Sequence, residues 1–214
     1  MNIKLLSFCI ILFVSVLFFG CASNYRTINP ESVSFNYHNV SEGLSYTYQY
    51  DVLINSGNRK YNKKQIRRNI NMVAVRITNN TTYSINIAED LKMKCGDREL
   101  VPLQPQQVKK ELKQNTLAYL FYMLLTPLKY PLFDKNTEVS IHAGYFIAPA
   151  IAGANMATAG YANNRFMEEL MEENILVKNI EPGQTIHGLL AFRDRTFDPI
   201  TIEVRDMEHL AEKQ

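Results

Sequence analysis

The chain has 214 residues, 46% hydrophobic and 21% charged, with a formal net charge of +2 at pH 7. This composition excludes a wholly disordered chain, a collagen, a coiled-coil rod and a polytopic membrane protein, and the near-neutral charge leaves no electrostatic footprint for nucleic acid. The length suits one domain carrying an elaboration.

Residues 1–20 read MNIKLLSFCIILFVSVLFFG, in which Lys4 precedes an apolar run from Leu5 to Gly20. A short charged stretch followed by an apolar one is the anatomy of a secretory signal, and the run is short of the ~20 residues that span a bilayer. It ends in Gly20-Cys21-Ala22-Ser23. A small residue before a cysteine at the end of an apolar run resembles the lipobox of bacterial lipoproteins, the match covering Leu17 to Cys21. Phe18 and Phe19 are bulkier than the family's usual residues there. The resemblance implies cleavage before Cys21, acylation of that cysteine, palmitate among the acyl chains, and a membrane anchor in the cell envelope. The competing expectation is an uncleaved apolar anchor. Ala22 in place of Asp implies, by the same resemblance, the outer membrane. The lack of acids in Ser23-Asn24-Tyr25 implies its periplasmic leaflet rather than the cell surface. Of three cysteines, Cys9 leaves with the signal and Cys21 takes lipid, so Cys95 is left as one thiol without a disulfide partner.

Residues 21–32 are expected to be the acylated cysteine and a polar tether. Val33, Phe35 and Tyr37 alternate with polar residues and predict a strand, and Leu44–Ile54 predicts another, with Tyr46, Tyr48 and Tyr50 on one face. That aromatic row suits either a ligand platform or, more simply, a packed strand face. Asn55–Asn58 is turn chemistry. Residues 59–68 hold the densest basic run, expected as a solvated loop and strand edge or as a contact for anionic headgroups or an acidic polymer. Ile70–Ile77 is the clearest strand, and alternation resumes at Tyr83, Ile85 and Ile87. VAVRITNNTTYSINI resembles a strand-turn-strand of immunoglobulin-like sandwich domains in secreted bacterial proteins. Further strands are expected at 91–95, 98–103, 185–192 and 200–204. The last two resemble the closing hairpin of such domains. With roughly seven to nine short strands, the fold class is mainly β, an immunoglobulin-like β-sandwich.

An apolar helical insertion over 104–174 splits the sandwich into a first part, 33–103, and closing strands with a tail, 175–214. Residues 116–125 (TLAYLFYMLL) are nearly all apolar, and 139–164 carry no charge. Arg165–Ile175 predicts an amphipathic helix with Phe166, Leu170 and Met171 inward and its glutamates mostly outward. The apolar pieces could pack on the sandwich, enter or lie on the membrane, or form an oligomer surface. Their candidate contact residues are Leu117, Tyr119, Leu120, Phe121, Leu124, Phe146, Ile147 and Ile151.

Local catalytic signatures are absent from the sequence: no GxSxG, P-loop, GxGxxG or HExxH. The four histidines, His38, His142, His187 and His209, are scattered, so neither metal nor cofactor is expected. The sequence therefore leads to a non-enzymatic, membrane-anchored envelope lipoprotein. Its insertion would bind a protein partner or self-associate, the alternative being that it enters the bilayer. A second alternative is an enzyme whose site, built around His187 or His142, forms only in space.

Overall fold

The computed structural model describes residues 21–127, 130–134, 137–141 and 144–205, giving the backbone alone for 130–134 and 137–141. The expected signal segment, His142 and His209 lie outside the described residues. Among the described residues, those of 21–24 and 114–162 form one compact unit, and those of 25–113 and 163–205 form the other.

Of the four sheets among the described residues, three belong to the second unit. A four-stranded antiparallel sheet has the order β1 (Tyr37–Ser41), β2 (Leu44–Gln49), β3 (Ile70–Asn79) and β10 (Thr185–Arg193). A three-stranded antiparallel sheet has β11 (Ile200–Val204), β5 (Leu91–Cys95) and β6 (Arg98–Glu99), while β4 (Ile85–Asn86) pairs with β9 (Asn179–Ile180). Side chains alternate across a strand, so β3 sends Val73, Val75 and Ile77 to one face and Met72 and Ala74 to the other. The first set joins Tyr46, Tyr48, Leu190 and Phe192 against Met93, Cys95, Ile200 and Ile202 of the smaller sheet, in one core. The second set packs under helices: α1 (Val52–Asn55), α2 (Arg59–Arg68), α4 (Pro105–Leu112) and the end of α5 (Gly144–Glu172) contribute Leu53, Tyr61, Leu112 and Phe166.

The antiparallel sheets agree with the sequence, but the described residues are not plainly mainly β, because helices, among them one long one, accompany the strands. Three local expectations fail, each for a physical reason. The basic run 59–68 is helix α2, because Tyr61 and Gln65, four apart, are buried and leave the cations outside. The stretch from Tyr83 does not pair back on β3. Ile85–Asn86 pairs with β9 instead, and the Asn86 side chain accepts from the Ala88 and Glu89 N–H groups (3.1 Å each), capping helix α3 (Ile87–Asp90). Nor do β10 and β11 form a hairpin, since β10 pairs with β3 and β11 with β5. Among smaller departures, Val33–Asn36 is irregular, β2 stops at Gln49, and Ile175–Val177 is a 3-10 helix.

Asn79 clamps the chain after β3. It is fully buried; its Nδ2 donates to the Tyr83 and Ile180 carbonyls (2.6 and 2.9 Å), and its Oδ1 accepts from the Thr81 N–H (2.9 Å). The tyrosine row of β2 is core. The Tyr48 hydroxyl accepts from the Ile200 N–H (3.0 Å), and the Tyr50 hydroxyl donates to the Asp198 carbonyl (2.8 Å). Burial raises the pKa of both tyrosines. Cys95 is fully buried beside Tyr50.

Residues 25–30 are packed, not a free tether. Tyr25 lies against the rings of Tyr61 and Phe166, both at 5.2 Å, and Ile28 and Pro30 are buried. Glu169 gathers the segment. Its carboxylate accepts from the Tyr25 hydroxyl, the Ile28 N–H (2.6 Å) and the Asn29 N–H (3.3 Å). Burial, and then the Glu169 charge, push the Tyr25 hydroxyl far above its usual range. Asn58 exchanges two hydrogen bonds with the Arg26 backbone (2.9 and 2.7 Å). Phe166 and Leu170 are buried and Glu168 and Glu172 exposed as expected, but Glu169 is only 5% exposed and Met171 55% exposed, so these two residues exchange the expected faces. Helical spacing explains Glu169, which lies three residues beyond the buried Phe166 and so shares its face.

Gly188 of β10 marks a close approach. A Cβ there would sit 2.8 Å from both the Glu173 carbonyl oxygen and the Ile175 Cβ. Gly188→Ala should destabilise the protein by about 1–3 kcal/mol, read as a lowered denaturant midpoint. A loss under about 0.5 kcal/mol would mean that 173–175 does not pack on this strand.

Candidate functional site

The first unit holds the 3-10 helix Leu117–Leu125, the hairpin of β7 (Tyr130–Asp134) and β8 (Thr137–Ile141), and α5 as far as Ala162. A 3-10 helix repeats every three residues, so Tyr119, Tyr122 and Leu125 share one face, and these three are buried. They pack on Ala148, Ala152 and Ala159, which lie along one side of α5. Alanine at those positions lets the two helices approach closely. Gly144, at the start of α5, meets the Leu125 and Thr126 carbonyls so tightly that a Cβ would overlap them.

The other two faces of the 3-10 helix are open. Phe121 is 73% and Leu124 72% exposed, with Leu117, Leu120 and Met123 also exposed. At the start of α5, Phe146 is 81% exposed, flanked by exposed Tyr145 and Ile147. Of the residues named from sequence, Leu117, Leu120, Phe121, Leu124, Phe146 and Ile147 are thus on the surface. Tyr119 is not, being 6% exposed, and Ile151 is half-buried against the alanine side. Tyr119 belongs to the buried third of a three-residue repeat, and Ile151 to the inward side of α5. Sequence reasoning missed Met123 and Tyr145, though the same periodicity would have found Met123.

Cys21 belongs to this unit and is exposed. The backbone just after it is fastened: the Ala22 N–H donates to Asn155 Oδ1 (2.6 Å), and Asn155 Nδ2 in turn donates to the Ile151 carbonyl (2.9 Å). Gln114 takes the Ser23 N–H on its Oε1 (3.2 Å) and donates its Nε2 to the Ser23 carbonyl (2.6 Å). The Tyr122 hydroxyl hydrogen-bonds the Cys21 thiol; burial first, and the neighbouring Cys21 next, raise the tyrosine's pKa. Asn155 and Gln114 could not have been singled out from sequence, because their partners lie 133 and 91 residues away.

No family model, curated protein or solved structure matches the chain.

Among the described residues, no helix is long and apolar enough to cross a membrane, and no group of three or more His, Cys, Asp or Glu could hold a metal ion. Every described buried side-chain nitrogen or oxygen has a hydrogen-bond partner. His187 is half-buried on β10, its ring 6.4 Å from that of Phe35. Burial lowers its pKa; Glu31 and Glu173 act to raise it, Arg76 and Lys178 to lower it. A cavity of about 280 Å³ on the same sheet is lined by His38, Ser45, Thr47, Arg76, Thr78 and Thr185 and does not include His187.

Proposed function

We propose that the chain is an acylated envelope lipoprotein without enzymatic activity, whose first unit lays its exposed apolar side chains into the membrane interface beside Cys21. The observation that carries this is the sharing of one compact unit by an exposed Cys21 and the exposed Phe121, Leu124 and Phe146. Acyl chains on Cys21 would hold that unit at a bilayer, and each large apolar side chain moved out of water contributes about 1.5–3 kcal/mol. The seating is interfacial: the 3-10 helix has nine residues, far short of a span. The lipobox-like residues 17–21 support acylation, and Ala22 supports the outer membrane and its periplasmic leaflet. Two antiparallel sheets closing on one core support an immunoglobulin-like sandwich as the base of the second unit.

A photoactivatable phospholipid in native membranes tests the seating. Lipid adducts are expected on 117–124 and 145–147. Adducts confined to Cys21 would contradict it. The second reading, a protein partner or another copy on this unit, is favoured by the exposed Gly153, Ala154 and Ala157 along α5. Cross-links from α5 to another polypeptide, with no lipid adducts, would select it.

A further inference from the structure

The second unit sets the basic run of 59–68 beside a second cluster of cations. Helix α2 carries Arg59, Lys60, Lys63, Lys64, Arg67 and Arg68 and no acid. Helix α4 lies beside it, joined by the Arg68–Glu111 ion pair (3.3 Å) and by the Lys64 ammonium donating to the Lys113 carbonyl. It brings Lys109, Lys110 and the following Lys113, with Glu111 as its one acid. Residues 59–68 and 105–113 thus carry nine cations and one carboxylate between them, in a chain whose formal net charge is only +2. Glu111 also pairs with Arg193 (3.0 Å), so its charge is shared. Crowding is evident at Lys64, where burial and then Arg67, Arg68 and Lys113 lower the pKa.

The outward stripe of α2 is Arg59, Lys63, Ile66 and Arg67, all exposed, with Ile66 at 64%. A bulky apolar residue standing in water among cations is the pattern of a helix that lies on an anionic interface. We propose that the α2–α4 surface is a docking site for the anionic headgroups of a phospholipid bilayer, with Ile66 entering between them. The choice of a bilayer over a soluble polyanion rests on the proposed anchor at Cys21. Each cation near an anionic surface is worth about a fivefold gain in partition, lost as salt screens it.

The test uses the full acylated protein spin-labelled at Ile66→Cys, since Cys95 is buried and acylation blocks Cys21. It is reconstituted in phosphatidylcholine vesicles with or without about 30% phosphatidylglycerol. Accessibility of the label to an aqueous nickel chelate should fall several-fold only in the anionic vesicles. High salt should restore it, as should Arg59→Gln/Lys63→Gln/Arg67→Gln, which alters exposed side chains only. Equal accessibility in both vesicles, with the acyl mass present on Cys21, would overturn the headgroup site and leave the anchor standing. Shielding by heparin but not by phosphatidylglycerol would overturn it in favour of a soluble polyanion. Anion-dependent shielding of the same label in a Cys21→Ala chain would support the headgroup site independently of the anchor.

Discussion

A Cys21→Ala chain should incorporate no labelled palmitate, whereas the wild-type chain incorporates it and gains the corresponding mass on Cys21. The effect is all-or-none, because the thiol is the acylated group under the proposed lipoprotein reading. Cys21 is exposed, so its replacement removes the attachment point without opening a cavity. The energetic consequence is large. Each buried CH₂ contributes about 0.8 kcal/mol; one chain gives marginal attachment, and two or more make it stable. Equal palmitate incorporation by both chains, or by neither, would dismiss acylation at Cys21.

Glu169→Ala should cost about 3 kcal/mol and free the segment 25–30. Its carboxylate is the acceptor for two backbone N–H groups, of Ile28 and Asn29, and for the Tyr25 hydroxyl. Leaving a buried donor without an acceptor costs about 1–3 kcal/mol each. Undocking of 25–30 into water relieves part of that, at the expense of the Tyr25 ring contacts with Tyr61 and Phe166. Chemical unfolding gives the stability loss, and limited trypsin digestion after Arg26 gives the local opening. Glu169→Gln keeps an oxygen for the two N–H groups and should cost about 1 kcal/mol. An alanine variant as stable and protease-resistant as wild type would show that the carboxylate does not fasten the segment.

How much of this was legible in the sequence depended on whether the signal was local. Strands β3, β5, β10 and β11 were, because period-two alternation is a property of a few consecutive residues. Helix α2 was not, because its buried face is Tyr61 and the polar Gln65, which carry little apolar periodicity against so many cations. Strand partners were misassigned where a nearby turn suggested a hairpin. Nothing local tells that β10 returns to β3 while β11 crosses to β5. The expected insertion 104–174 divides between the units, with 104–113 and 163–174 accompanying the sheets. At the candidate site, six of eight proposed surface residues could be named from hydrophobicity alone. Tyr119 needed the three-residue repeat of a 3-10 helix, since in an α-helix the buried set would be spaced by three and four. The fastening of 21–30 by Gln114, Asn155 and Glu169 had no local signature, because each bond joins the chain's beginning to a segment far along it.

The most direct test of interfacial seating is Phe121→Trp in acylated protein on vesicles. The chain contains no other tryptophan, and position 121 is exposed on the 3-10 helix. Indole favours the membrane interface. Its emission should shift to the blue and be strongly quenched by lipids brominated near the headgroup end of their chains. Water-like emission, unquenched by brominated lipid while Cys21 carries its acyl mass, would contradict the seating of this unit in the bilayer.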